Sequence, residues 1–342
     1  MTQDLRKLLV IRYRSIGDIL LSNPTLAALR VRYPRAQIHF LIDDRFEELL
    51  YANPNVDKLI LWRRSGKATL REEWEFISRL RAERYDAAID LQGGPRGAIT
   101  TLLSGAPIRC GQPYRLRNKL CYNRYAPSGA PDEHSWRVQF HAAEPLGVTP
   151  PDKPELFLKF SGEQGASARK KLEDAGLIFD RPLVILHPGA RVREKRWPAE
   201  NMGRLARWLA DERRLAVILA GSAADAEEIK TIRRASGYAL PFFTDLGLGE
   251  LAAMISTCDL LVANDSGPMH MAGALGTPCV ALFGPSDPSL WAPLGNKCAV
   301  VTPDPMECMP CDQKGCARGD DYCMARIPLE DVQQAVDRLR AL

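Results

Sequence analysis

The sequence has no apolar run approaching the ~20 residues that cross a bilayer as a helix. Its start, Met1 to Tyr13, lacks the succession of basic, apolar and small residues that marks a secretory signal. Together these absences lead us to expect a cytoplasmic protein. It has no repeat and no low-complexity tract, which excludes a solenoid and a compositionally disordered chain. Acidic residues are missing altogether between Asp90 and Asp132, although Arg96, Arg109, Arg115, Arg117, Lys119 and Arg124 all fall there. A stretch of one sign favours an anionic partner. Nucleic acid is the obvious anion, but no recognition motif accompanies the charge.

What is present suits a globular protein of two domains. The 342 residues are 46% hydrophobic and 26% charged, enough for two ordinary cores. The charge is uneven. Residues 1–154 carry 24 Lys/Arg against 17 Asp/Glu, and residues 155–342 carry 22 against 25.

Short β-rich runs alternate with longer amphipathic stretches, the pattern of an α/β protein with mostly parallel sheets. In the first half, strands are expected at 8–13, 38–42, 58–62 and 87–91, and a helix at 19–33 that stops before Pro34. The stiff, polar segment 147–154 makes a linker. In the second half, strands are expected at 183–187, 216–220, 260–264 and 279–283. Helices are expected at 199–211, 223–236, 248–256, 269–275 and 329–342. We therefore expect two Rossmann-like domains, 1–154 and 155–342, whose strand ends face a ligand across a cleft.

Three segments carry chemistry. The first in weight is Asn264-Asp265-Ser266-Gly267-Pro268-Met269-His270, where an apolar strand gives way to a helix. Asp265 or Ser266 can cap that helix, Gly267 admits close backbone approach, and Pro268 suits a first helical turn. Free N–H groups and the positive dipole end there can receive a diphosphate, with His270 one turn in. The second is His187-Pro188-Gly189-Ala190, followed by Lys195-Arg196-Trp197-Pro198. Lys195 offers a mobile point charge to phosphate oxygens. The turn Gly221-Ser222-Ala223-Ala224-Asp225 places an acid where dinucleotide folds hold ribose hydroxyls. The third is Arg14-Ser15-Ile16-Gly17-Asp18 at the first strand-to-helix turn, where Asp18 can act as general base on a hydroxyl. Each also has a plain structural reading, as a helix cap or a surface charge.

Taken in order, Ser-Ile-Gly-Asp, His-Pro-Gly with a downstream Lys-x-Trp-Pro, and Asn-Asp-Ser-Gly-Pro-Met-His with a following Phe-Gly-Pro-Ser-Asp-Pro resemble the ADP-heptose:lipopolysaccharide heptosyltransferases of glycosyltransferase family 9. The resemblance runs over nearly the whole chain. It implies a GT-B fold, with the acceptor on the N-terminal domain and ADP-heptose on the C-terminal one. It also implies inverting transfer of L-glycero-D-manno-heptose to the inner core of lipopolysaccharide, without a covalent intermediate. By the resemblance, Asp18 is the catalytic base and Lys195 the phosphate lysine. Leu246 lies beside the adenine, and Asp265, Ser266, Gly267 and His270 form the heptose and diphosphate site. Gly189 and Ala190 fall at the phosphate-contacting turn, where relatives often carry hydroxyl residues, and Asp225 is the nearest match to the ribose acid. Arg96, Arg115, Arg117 and Lys119 are candidate contacts to the anionic, lipid-linked acceptor. That acceptor implies peripheral contact with the inner face of the inner membrane. No Asp-x-Asp pair stands near the donor segments, so no cofactor or metal is expected in catalysis.

Cys308, Cys311, Cys316 and Cys323 are spaced C-x2-C-x4-C-x6-C, which suggests a structural zinc site, although paired C-x2-C knuckles are absent. Such Cys-x-x-Cys segments occur in the heptosyltransferase II branch. Two alternatives remain at this stage. One is a GT-B transferase or epimerase acting on another nucleotide sugar. The other is a zinc-containing nucleic-acid-binding protein, which leaves the 187–195 and 264–270 segments without a purpose.

Overall fold

The computed structural model describes residues 4–63, 69–113, 116–130, 132–177, 180–295, 297–311 and 315–340. The chain divides into two compact units, Met1–Phe157 and Leu158–Leu342.

In the first unit the elements run β1 (Lys7–Ile11), α1 (Ile16–Leu20), α2 (Asn23–Arg32), β2 (Gln37–Asp43), β3 (Lys58–Trp62), α3 (Leu70–Ala82), β4 (Ala87–Asp90), α4 (Pro95–Leu103), β5 (Ile108–Gly111), β6 (Arg124–Tyr125) and α5 (Ser135–Phe140). A 3-10 helix, Leu116–Cys121, joins β5 to β6. The strands form one parallel sheet in the order β3-β2-β1-β4-β5-β6. β1 is central, with Leu8 opposite both Ile38 and Ala87. Its continuous apolar run Leu8–Ile11 is wholly buried, as a strand covered on both faces requires.

The helix expected at 19–33 is two helices. Ser22 donates to the Ile19 carbonyl and Asn23 Nδ2 to that of Leu20, while Pro24 has no N–H to continue the ladder. Strands β5 and β6 were not foreseen.

The second unit repeats the scheme with α6 (Gly162–Asp174), β7 (Leu183–His187), α7 (Ala199–Asp211), β8 (Ala216–Ala220), α8 (Ala226–Ser236), β9 (Phe242–Phe243), α9 (Leu248–Thr257), β10 (Leu260–Asn264), α10 (Gly267–Leu275), β11 (Cys279–Leu282), α11 (Pro288–Trp291), β12 (Cys298–Val301) and α12 (Leu329–Arg340). Its parallel sheet has the order β12-β11-β10-β7-β8-β9, the same topology as the first. α7 buries Met202, Leu205, Ala206 and Leu209, one stripe at helical spacing, against the sheet. Truncating a leucine such as Leu205 there would cost about 2–5 kcal/mol. A Cβ on Gly203 would lie 2.7 Å from the Ile232 carbonyl oxygen, so glycine lets α7 approach α8 closely.

In each sheet the strand order reverses once, between β1 and β4 and between β7 and β10. In parallel α/β sheets the carboxyl ends of the strands flanking that reversal form the binding crevice.

Candidate active site

All three chemical segments lie at these reversal points. In the first unit β1 runs into Arg12 and Tyr13, and the turn ends at Asp18 on α1. Ser15 caps α1 and Asp18 answers it. The Asp18 carboxylate accepts from Ser15 Oγ at 3.0 Å and from its backbone N–H at 3.3 Å. Its other oxygen is ion-paired with the Arg12 guanidinium. Arg12 is buried and also donates to the Leu91 carbonyl, at the end of β4. Asp18 is thus held from two sides, yet stays partly exposed. Sequence reasoning missed Arg12, which looks like an ordinary charge at the end of a strand.

Asp90, the last residue of β4, was also missed. It is fully buried and accepts from the N–H groups of Gln92 and Gly93 at 2.8 and 3.2 Å and from the Tyr122 hydroxyl at 2.6 Å. Burial pushes its pKa up to about 6, against these hydrogen bonds and Arg12, which pull it down. A Cβ at Gly97 would meet this carboxylate at 2.3 Å, so glycine at the start of α4 makes room for it. Asp90 thereby ties the end of β4 to the loop before α4 and to Tyr122, just after the Leu116–Cys121 segment.

Of the candidate acceptor residues, Arg96 stacks 4.2 Å over the Trp62 ring and 5.7 Å from the Tyr13 ring, and pairs with Glu73 at 3.3 Å. That places its guanidinium by the strand end that leads to Asp18. Lys119 is exposed and lies 5.8 Å over the Tyr125 ring, away from that strand end in the chain. Arg115 and the side chain of Arg117 lie outside the described residues.

In the second unit β7, β8 and β10 bring their loops together. Lys195 Nζ donates to Asp265 Oδ2 at 2.6 Å, joining two segments 70 residues apart. Asn264 Oδ1 accepts from the Trp197 N–H at 3.0 Å and its Nδ2 donates to the Pro188 carbonyl at 2.7 Å, so one side chain fixes both ends of the loop after β7. Ser266 is the N-cap of α10, and Gly267 and Pro268 fill its first turn. Ser266 Oγ donates to the Asn264 carbonyl at 3.0 Å and makes no cap bond. His270 is buried one turn in.

Asp225 is buried and in full use. Its Oδ2 accepts from Ser222 N–H and Oγ at 2.8 and 2.7 Å, and its Oδ1 faces Arg196 at 3.4 Å. The same carboxylate sits 2.7 Å from where a Gly189 Cβ would be, which explains the glycine of His-Pro-Gly. Arg196 in turn donates to the Ala190 carbonyl at 2.9 and 3.1 Å and pairs with Glu228. Asp225 therefore shapes the Gly189–Ala190 turn. His187 stands at the end of β7, and burial lowers the imidazole pKa, which favours the neutral ring. Leu246, half-buried, follows β9 on the far side of β8.

The zinc expectation is not met by the geometry. Among the described residues no group of three or more His, Cys, Asp or Glu side chains is arranged to hold a metal ion. Cys308 and Cys311 are exposed, Cys316 is intermediate, and Cys323 is buried in the core beneath Gly284. Burial raises the Cys323 thiol to about 11. The Cys323 side chain packs against Gly284 after β11, and Cys308, Cys311 and Cys316 are near enough to add to the upward shift of its thiol.

A cavity of about 770 Å³ lies beside the edge strand β3, lined by Leu61, Trp62, Phe76, Arg79 and Glu83 among others; it holds none of the motif residues.

Two doubly wound parallel sheets of one topology in one chain, with an acid at one reversal point and a cation with a helix start at the other, are the architecture of the GT-B fold. A solved family 9 glycosyltransferase from Veillonella parvula matches the fold with a TM-score of 0.85 at 26% identity, covering 99% of this chain and 98% of that one. The structure of E. coli ADP-heptose LPS heptosyltransferase II matches with a TM-score of 0.78, also at 26% identity, over 97% and 98%. Lipopolysaccharide heptosyltransferase 2 of E. coli K12 is 30% identical over 310 residues, 86% of this chain and 87% of its own. The family model for glycosyltransferase family 9 (heptosyltransferase) matches residues 73–320. The chain belongs to glycosyltransferase family 9, the heptosyltransferases.

Proposed function

We propose that this chain transfers L-glycero-D-manno-heptose from ADP-heptose to the inner core of a lipid-linked lipopolysaccharide precursor, with inversion at the anomeric carbon. The single observation that carries this reading is the Lys195–Asp265 pair at the β7/β10 reversal, beside the start of α10. It supports a diphosphate site, because a mobile ammonium and a helix N-terminus converge there.

In this reading the acceptor hydroxyl attacks the anomeric carbon as the bond to ADP breaks. Asp18 takes the hydroxyl proton. The transition state is oxocarbenium-like, and negative charge grows on the departing diphosphate. Lys195 leaves Asp265 for a phosphate oxygen, and the N–H groups of the first turn of α10 meet the same charge. Asp265 and His270 are then placed to orient the heptose, and Ser266 and Gly267 to contact the diphosphate. Gly189 and Ala190 offer backbone rather than side-chain hydrogen bonds to phosphate. We assign Asp225 the task of holding that turn rather than binding ribose. Leu246 would lie against the adenine. Arg96 supports the reading of a phosphorylated or carboxylated acceptor, as does the cationic stretch around Lys119, and a lipid-linked acceptor brings the enzyme to a membrane surface.

The test is turnover with ADP-heptose and a truncated lipopolysaccharide acceptor, read by mass spectrometry. Addition of one heptose residue is expected, with no addition from UDP- or GDP-sugars. Transfer from another nucleotide sugar, with ADP-heptose inert, would refute the donor assignment.

A further inference from the structure

The hydrogen-bond ladder between β1 and β4 ends at the reversal point, and side chains take over its last rung. Leu91 N–H donates to the Ile11 carbonyl at 3.0 Å. In a regular parallel ladder the next bond would run from the Tyr13 N–H to the Leu91 carbonyl. Here the Leu91 carbonyl accepts from the Arg12 guanidinium instead, and the Tyr13 N–H donates to Gln92 Oε1 at 3.2 Å.

That bond fixes which way the Gln92 amide faces. Only the oxygen can accept from an N–H, so Nε2 with its two hydrogens is turned away from the Tyr13 N–H. The main chain beneath it is held as well. The N–H groups of Gln92 and Gly93 donate to the buried Asp90 carboxylate, and Gly93 takes the left-handed conformation, φ 68°, that closes the turn. Among the described residues Gln92 Nε2 has no hydrogen-bond partner. The residue is half-buried and follows β4 at its carboxyl end, where the crevice opens. Holding Tyr13 needs only an oxygen, which a glutamate would supply. The amide adds two donors for which the frame has no use.

The neighbours decide what those donors meet. Arg12 joins the Leu91 carbonyl to the Asp18 carboxylate, so Gln92 and Asp18 are tied to one strand end. Arg96, four residues on from Gln92, lies over the Tyr13 ring at 5.7 Å, and the sequence holds no acid from 91 to 131. A ligand here meets donors from Gln92 and Arg96 and a carboxylate from Asp18. It must present several oxygens, one of which can give up a proton. A sugar with oxygen substituents on neighbouring carbons has that pattern.

We propose that Gln92 is an acceptor-binding residue. Its Nε2 donates to an oxygen of the acceptor sugar beside the attacking hydroxyl, and so sets that hydroxyl against Asp18. The assignment rests on the reading of this unit as the acceptor side of a sugar transfer, and it adds a neutral contact that selects for the position of an oxygen rather than for charge.

Two variants separate this role from a structural one. Gln92→Glu keeps an oxygen for the Tyr13 N–H but has no hydrogen to donate at about pH 8. Gln92→Met has neither, and carries no charge. With a deacylated, truncated lipopolysaccharide acceptor, both should raise the acceptor KM by about tenfold, the worth of one hydrogen bond. The KM for ADP-heptose should not change. Calorimetric titration of the same acceptor in the absence of donor should show a similar loss of affinity in both. Native-like acceptor affinity in either variant overturns the proposal. In Gln92→Glu it would mean that the amide only braces Tyr13. In Gln92→Met it would mean that the loss in Gln92→Glu is charge repulsion. A native chain that does not bind the acceptor overturns the proposal too. If both variants lose affinity in the titration while no heptose is transferred by the native chain, Gln92 stands as a contact to that carbohydrate and the transfer reading falls.

Discussion

The two units share one strand order, and each sets an ion pair at its reversal point, but the pairs are built in opposite senses. In the first unit the cation is the deeper partner, with the Arg12 side chain 9% exposed and that of Asp18 17%. In the second the acid is deeper, with Asp265 at 8% and Lys195 at 18%. The topology thus does not decide the chemistry. In the function we propose, the outer partner does. One unit presents a carboxylate suited to a hydroxyl proton, and the other an ammonium suited to a diphosphate.

The contrast can be broken by removing either outer partner. Asp18→Asn should lower turnover by about 10²–10⁴-fold, the ordinary worth of a general base, and leave ADP-heptose affinity unchanged in a calorimetric titration. A variant that kept most of its turnover would end the assignment. Removing the deeper partner sharpens the same point. Arg12→Met should cost up to about 100-fold in turnover through loss of position, again without change in donor affinity. In the second unit the pattern should reverse. Lys195→Ala should weaken ADP binding itself by about 10–100-fold, the worth of a charge-assisted hydrogen bond to phosphate.

The smallest effect concerns the frame. The folded-state pKa of Asp90, about 6, lies above the ordinary aspartate value. Its contribution to stability is therefore fully present below about pH 4 and is lost as pH rises through 6. Between pH 8 and pH 5 the native chain should gain roughly 1–2 kcal/mol over Asp90→Asn, measured by denaturant unfolding at the two pH values. Parallel curves for the two proteins would show that Asp90 titrates normally.

How much of this was legible in the sequence follows from where each signal lives. Strands such as Leu183–His187 and Leu260–Asn264 are continuous apolar runs bounded by turn residues, and they appear where composition places them. The loops that follow them carry Gly, Asp, Lys and His together, a combination no core requires. β6 and β9, two residues each, are too short for any period to declare them. α4 carries the helical spacing in Ile99, Leu102 and Leu103, but that apolar face points outward, so the period names the helix and misplaces its buried side. Arg12 and Asp90 depend on a parallel pairing between β1 and β4, whose residues stand about eighty positions apart. A charge that is ordinary in sequence becomes a clamp only when that pairing forms. The cysteine spacing is silent on burial, since it does not say that Cys323 turns into the core while Cys308 and Cys311 are exposed.

A crystal structure with ADP bound would test the opposed pairs most directly. The account predicts that Lys195 Nζ leaves Asp265 and lies within hydrogen-bond distance of a phosphate oxygen, while Arg12 and Asp18 remain paired. A diphosphate bound elsewhere, with Lys195 still on Asp265, would contradict it.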